Sequence, residues 1–181
     1  MVSPSKILDL CTGSGCIGIA CSYAFEEATV VLSDICSDAL AVASTNIDQH
    51  GVADRVSIIE SDLFENFDAE HAHSFDLIVS NPPYVDAEDL ASMPQEYSHE
   101  PTLALASGAD GLDFTRRLLQ QATQYLSDQG VLVVEVGNSA EALEQAFPEV
   151  PFTWLEFEQG GEGVFVLTRQ QLEQYSAFFS E

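Results

Sequence analysis

Short apolar runs with strand character alternate with longer stretches in which apolar residues recur at helical spacing. "KILDLC" (6–11), "ATVVLSD" (28–34), "RVSIIESD" (55–62) and "FDLIVSN" (75–81) predict four strands, the last nearly all apolar and therefore central in a sheet. Between them, "GCIGIACSYAF" (15–25) and "SDALAVASTNIDQHG" (37–51) predict helices, the second opening on a Ser cap and closing on a Gly. Residues 82 to about 112 are rich in Pro, Asp, Glu and Gly and too long for an ordinary connector, which marks a lid or binding segment. The alternation then resumes with an amphipathic helix "DFTRRLLQQATQYLSDQG" (113–130), a fifth strand "VLVVEVG" (131–137) and a short helix "SAEALEQAF" (139–147). Strands "FTWLEFE" (152–158) and "GVFVLTR" (163–169) follow, joined by "QGGE", a turn too short for a parallel crossover, so they form an antiparallel hairpin. The expected architecture is α/β: a mainly parallel sheet with helices on both faces and one reversed strand at its end. The tail "QQLEQYSAFFSE" reads as a short helix or a frayed end.

Size fits this picture: 181 residues, 46% of them hydrophobic, make one globular domain with a sizeable core. No apolar stretch approaches the roughly 18 to 20 residues of a membrane span, and the start "MVSPSK" lacks a signal-peptide core. The expectation is a soluble, cytoplasmic protein that does not engage membranes. Charge changes the picture more. Thirty Asp and Glu against five Lys and Arg give a formal net charge of −25. A nucleic-acid surface neutralises phosphates with clustered Lys and Arg, so direct nucleic-acid binding is not expected. Two readings of the acidity stand level: a solvated surface suited to salty surroundings, and a surface that steers a basic partner.

Cysteine and histidine add little chemistry. Cys11, Cys16, Cys21 and Cys36 contain no CxxC pair and lie mostly in or beside apolar runs, where reduced, buried thiols are expected. His71 and His73 form an HxH in a polar loop with no third ligand nearby, so they read as solvated loop residues and no metal is expected. His50, before Gly51, suits a helix C-terminus. Trp154 and the phenylalanines between 147 and 165 read as core and hairpin packing.

The first strand runs into "DLCTGSGCIG", a glycine-rich strand-to-helix turn that lets a ligand approach the backbone under a helix N-terminus. The third glycine of a dinucleotide pattern falls on Ile17 or Gly18 depending on register, and the Gly-Lys-Ser/Thr of a P-loop is missing. Asp9 at the strand end would repel a pyrophosphate and attract a cation such as an amino-acid ammonium or a sulfonium. Strand two ends in Asp34, placed to accept ribose hydroxyls, with Ile35 beside it. Strand three ends in "ESDLF", where Asp62 or the backbone of Leu63 is placed to meet an adenine amino group. Each acid alone reads as a turn or cap residue. Three of them past the ends of successive parallel strands mark a ligand crevice.

Together, Asp9-Leu10-Cys11-Thr12-Gly13-Ser14-Gly15, Asp34, Asp62 and Asn81-Pro82-Pro83-Tyr84 resemble the class I S-adenosylmethionine-dependent methyltransferases, Rossmann-like enzymes, that methylate a planar nitrogen. The resemblance covers essentially the whole chain. It implies a seven-stranded sheet with the last strand antiparallel, S-adenosyl-L-methionine as cofactor and S-adenosyl-L-homocysteine as product. The cofactor-binding positions would be Asp9, Cys11, Thr12, Gly13, Ser14, Gly15, Asp34, Ile35, Asp62, Leu63 and Asn81. Cys11 departs from the motif's usual Gly, and the loop is expected to tolerate it.

The acceptor chemistry explains the tetrapeptide. An amide or aromatic amine nitrogen shares its lone pair with a π-system, and two hydrogen bonds accepted from its N–H groups return density to it and align it with the methyl carbon. The resemblance assigns those acceptors to the Asn81 side chain and the Pro82 carbonyl, with Tyr84 stacking on the planar group. The catalytic set would be Asn81, Pro82 and Tyr84, with Pro83 joining them in holding substrate; Glu100 has two level readings, a substrate contact near the loop and a cap on local backbone. Prolines fix φ and remove competing donors. No general base is needed before attack, since the nitrogen becomes acidic once alkylated.

The same tetrapeptide serves adenine N6 and glutamine side chains. The acidity argues against adenine in nucleic acid, and "HEP" (99–101) with "ADGLDF" (109–114) resembles the HemK/Prm family of protein-glutamine methyltransferases. "SDLFENF", "PQEYSHEP" and "FPEVPFTWLEFEQGGEGVFVLTRQQL" resemble the branch of that family, PrmB, acting on large-subunit ribosomal protein uL3. A basic ribosomal protein is thus the expected partner. A release-factor glutamine methyltransferase, an adenine-N6 nucleic-acid methyltransferase and a non-catalytic cofactor-binding module are the alternatives. The family's N-terminal helical domain has no counterpart in residues 1–181, so a single catalytic domain is expected.

Overall fold

The computed structural model describes residues 3–83, 110–158 and 161–180. Among these residues seven strands are formed: β1 (Lys6–Leu10), β2 (Thr29–Asp34), β3 (Val56–Glu60), β4 (Phe75–Ser80), β5 (Leu126–Glu135), β6 (Thr153–Leu155) and β7 (Val164–Thr168). The α-helices among the described residues are α1 (Cys16–Ala24), α2 (Ser37–His50), α3 (Asp113–Gln121), α4 (Ala140–Ala146) and α5 (Arg169–Gln174). The strands make one sheet in the order β3-β2-β1-β4-β5-β7-β6. Pairs through β5 are parallel, and β7 runs antiparallel to both neighbours.

Strand alternation divides the core between the two faces of the sheet. Ile7, Val30 and Leu32 join Ile19 of α1 and Ala43 and Ile47 of α2. Leu8, Leu10, Val31 and Ile78 point the other way, into a larger cluster with Leu118 and Leu119 of α3, Leu143 of α4 and Leu172 of α5. Both faces are therefore covered by helices, as the apolar runs require.

Three local expectations are corrected. The reversed strand is not at the end of the sheet: β7 inserts between β5 and β6, leaving the three-residue β6 at the edge. The helix expected over 113–130 stops at Gln121, followed by a 3-10 turn, Ala122–Gln124, because Leu126 pairs with Phe75 and the Tyr125 carbonyl accepts from Phe75 N–H. Helical periodicity persists through "QQATQYL", but β4 claims that backbone. The N-cap of α2 is Cys36, with no side-chain cap bond, while Gly51 closes the helix in the left-handed conformation as expected. The tail is ordered as α5, opened by a capping box between Thr168 and Gln171.

Ion pairing engages all four arginines. Arg55 meets Asp54, Arg117 meets Asp62, and Arg169 meets Asp128 and Glu173. Arg116 grips both carboxylate oxygens of Asp110, at 3.0 and 2.6 Å, and the Leu112 N–H also donates to Asp110, fixing the entry to α3. Those bonds, chiefly from Arg116, hold the Asp110 carboxyl below its ordinary pKa. The single lysine, Lys6, lies over the Phe75 ring.

One backbone contact sets the far end of the sheet. Gly163, at φ +74°, packs on Gly137, whose Cα would lie 2.8 Å from a Cβ at 163, and Val136 N–H donates to the Gly163 carbonyl at 2.8 Å. Neither the conformation nor the space admits a side chain. Gly163→Ala should cost about 2 to 4 kcal/mol of stability by urea unfolding, the sum of left-handed strain and a clash against backbone that cannot rotate away.

Candidate functional site

The sheet reverses its winding between β1 and β4, and the crevice outside the carboxyl ends of the strands at such a point is where ligands bind in this architecture. Register brings the candidate residues to that crevice. Leu10 pairs with Ser33 on one side and Ser80 on the other, so Cys11, Asp34 and Asn81 each lie one residue past the paired ends of adjacent strands. Asp34 pairs with Glu60, which places Asp62 two residues beyond, on the next strand outward. Four neighbouring strand ends span roughly 14 Å at about 4.8 Å per strand, room for a nucleoside with an amino-acid arm.

The glycine-rich turn is held from below by two carboxylates. Asp9 is 1% exposed, and its Oδ2 accepts from Thr12 Oγ1 at 2.6 Å and from Gly18 N–H at 2.8 Å. Asp34 Oδ2 accepts from Gly13 N–H and Oδ1 from Cys36 N–H, both at 2.9 Å. The turn is thereby clamped between β1 and β2. Ser14 contributes its carbonyl to Asn46 Nδ2 on α2 at 2.8 Å, and Gly15 caps α1 at φ 86°. Gly18, not Ile17, is the third glycine: a Cβ there would run into Leu32 and lie 3.0 Å from Asp9 Oδ2. Helix α1 can approach the sheet only without that atom.

Cys11 takes φ 56°, a left-handed conformation that glycine adopts freely. The loop therefore keeps the motif's shape at its departure from glycine. Burial, aided by the charges of Asp34 and Asp9, pushes the Cys11 thiol upward, so it stays protonated. The expectation of buried thiols is otherwise corrected: Cys16 is exposed, and Cys11, Cys21 and Cys36 are half-buried.

Burial raises the Asp9 carboxyl from an ordinary 3.8 to about 6, with Asp34 adding repulsion and the bonds from Thr12 and Gly18 opposing. Its Oδ1 is buried with no hydrogen-bond partner among the described residues. An ionised, half-satisfied carboxylate under a binding loop suits a cationic ligand. The sign of its effect on folding follows from the raised value. Stability from this group is complete below about pH 4 and is lost as pH rises through about 6, a change of about 3 kcal/mol. Urea unfolding of the wild type and Asp9→Asn without ligand should show the wild type losing about that much relative to the variant between pH 4 and 7.

The remaining candidates divide. Ile35 is 65% exposed beside Asp34, an apolar surface open at the crevice. Leu63 is 3% exposed with φ 49°, so only its backbone is available to a ligand. Asp62 is shared with Arg117 of α3 at 3.0 Å, a pairing that nothing in the local pattern signalled. Asn81 is exposed, Pro82 buried and Pro83 half-buried; Ser80 Oγ donates to the Leu10 carbonyl at 2.9 Å and ties the end of β4 to the glycine-rich turn. Tyr84 and Glu100 lie outside the described residues.

The histidine expectations divide. His71 bonds Asp68 at 2.7 Å and stacks on Phe75, so it is a packed loop anchor and not a solvated residue. His50 ends α2 against the Tyr23 hydroxyl. Among the described residues no group of His, Cys, Asp or Glu is arranged to hold a metal, and no helix is long and apolar enough to cross a membrane.

The profile of the methyltransferase small domain family matches residues 2–100. The chain is 55% identical over 177 residues to the ribosomal protein uL3 glutamine methyltransferase of Francisella tularensis, covering 98% of this chain and 55% of that protein. It is 52% identical over 165 residues to the enzyme of the same name from Neisseria gonorrhoeae, covering 91% of this chain and 54% of that protein. It thus spans about half the length of the relatives it matches. The solved ribosomal protein L11 methylase of Lactobacillus delbrueckii superposes with a TM-score of 0.59 at 22% identity, covering 93% of this chain and 70% of that one, a likeness of fold alone.

Proposed function

The chain belongs to the methyltransferase small domain family, and from that premise we propose that it is the catalytic core of an S-adenosylmethionine-dependent enzyme that methylates a glutamine side-chain amide in ribosomal protein uL3. The observation that carries the proposal is the alignment of Asp34, the glycine-rich turn and Asn81 at three adjacent strand ends. The identity to two uL3 glutamine methyltransferases supports the substrate.

In this reading Asp34 holds the ribose hydroxyls with the carboxylate lone pairs left over from Gly13 and Cys36 N–H. Ile35 and the Leu63 backbone flank the adenine. Asp9 balances the positive charge of the cofactor from beneath the turn. When bound, the cofactor supplies an electrophilic methyl group on sulfonium. Asn81 Oδ1 and the Pro82 carbonyl accept the two N–H bonds of the glutamine amide, turning its lone pair toward that methyl and keeping its density on nitrogen. Tyr84 and Glu100 lie outside the described residues, and the resemblance gives Tyr84 the role of stacking on the amide plane. The proton leaves to water after transfer.

Acidity favours protein over nucleic acid as substrate. All four arginines are paired with carboxylates, which weighs against a phosphate-binding surface. The reaction takes place in the cytoplasm on newly made, unassembled uL3. Incubation with methyl-labelled cofactor, purified uL3, release factors and ribosomal RNA should label uL3 at glutamine. Label confined to RNA, or to release factors, overturns the assignment.

A further inference from the structure

A second surface lies on the same edge of the sheet as Asn81. The strands β4, β5 and β6 all end there, because Ser80 pairs with Val134, Glu135 with Val164 and Val164 with Leu155. Between the end of β6 and α4 runs a groove of about 600 Å³. Part of its lining is apolar: Phe157 is 53% and Leu155 36% exposed, beside the half-buried Trp154. Its lining is also acidic, with Glu141, Glu144, Glu156 and Glu162. Glu144 accepts from Trp154 Nε1 at 2.7 Å and fixes the indole. Glu156 and Glu162 pair with no cation among the described residues. The close packing of Gly163 on Gly137 holds this turn against the start of α4.

A groove lined by both exposed apolar side chains and carboxylates fits a side chain that is aliphatic along its stem and cationic at its tip, which describes lysine and arginine. A second copy of this chain is a poor occupant, since each carries a net charge of −25. We propose that the groove docks a lysine- and arginine-rich extended segment of the protein substrate, a reading that rests on the methyl-transfer function above. The groove lies three strands from β4 in the order β4-β5-β7-β6, roughly 14 Å along the edge at about 4.8 Å per strand. An extended chain covers that in about four or five residues, so the docked basic residues stand that far from the methylated glutamine.

Trp154 is the only tryptophan in the chain, so its emission reports the groove directly. Titration with uL3 peptides holding Lys or Arg four to six residues from a glutamine should shift that emission, and raising salt should weaken the binding. In Glu156→Gln/Glu162→Gln the peptide Kd and the KM for uL3 should rise about tenfold with kcat unchanged. Phe157→Ala should act in the same direction, and a short glutamine peptide without Lys or Arg should be methylated equally by all three proteins. Unchanged Kd and KM in both variants, or sedimentation showing that the groove pairs two copies of the chain, overturns the docking site. If wild type transfers no methyl to uL3 yet the emission still responds to basic peptides, the groove stands and the methyl-transfer reading falls.

Discussion

Asn81→Ala is expected to lower kcat for methyl transfer by about a hundred- to a thousandfold, the usual cost of removing one aligned hydrogen-bond partner of the reacting group. Cofactor affinity by calorimetry should stay within about threefold of wild type. The two readouts separate because of where Asn81 stands. It lies one residue past the end of β4, level with Cys11, while the turn proposed to hold the cofactor is clamped by Asp9 and Asp34 from other strands. The backbone at this point is secured by the Ser80 Oγ bond to Leu10 and by the buried ring of Pro82, so loss of the amide should not reshape it. An alanine leaves one N–H of the acceptor amide unmatched, and its nitrogen reverts toward the poor nucleophile it is in water. A fall in cofactor affinity matching the fall in kcat would instead place Asn81 on the cofactor.

Much of this was legible because a buried parallel strand announces itself. β1, β2 and β4 are apolar on both faces and end in acids or in Asn-Pro-Pro, so strand, turn and crevice fall into place from pattern alone. What stayed hidden depends on contacts between distant segments. Helical spacing through residue 130 could not reveal that Phe75 would pair with Leu126 and convert that stretch to strand. The turn between β6 and β7 dictated an antiparallel pair, but adjacency of β7 to β5 rests on the pairing of Val133 with Val166, which local pattern does not encode. Gly18 was ambiguous for the same reason: its need to be glycine is set by Leu32, which lies on β2, outside the helix that carries Gly18. Arg117 on Asp62 joins α3 to the end of β3 across more than fifty residues, and charge alone offers an arginine many acids to choose from.

Asp34→Ala should produce the opposite kinetic signature. Each carboxylate oxygen accepts a backbone N–H, Gly13 on one side and Cys36 on the other, so the side chain joins the glycine-rich turn to the start of α2. Removing it unpairs both donors and removes the acceptors for a ribose. Charge-assisted bonds are worth about 1.5 to 3 kcal/mol each, so loss of the ribose contacts alone should weaken cofactor binding by about a hundredfold or more. Asp34→Asn should be nearly as damaging, because a carboxylate accepts with both oxygens whereas an amide must turn an NH2 group toward Gly13 or Cys36. At saturating cofactor, kcat should fall by less than about tenfold, since the acceptor clamp at Asn81 sits on another strand and is untouched. A rise in KM for cofactor with kcat nearly retained, set against the loss of kcat in Asn81→Ala, would divide the crevice into a donor half on β1 and β2 and an acceptor half on β4. Wild-type cofactor affinity in Asp34→Ala would remove the ribose from this end of the sheet, and with it the placement of the methyl group opposite Asn81.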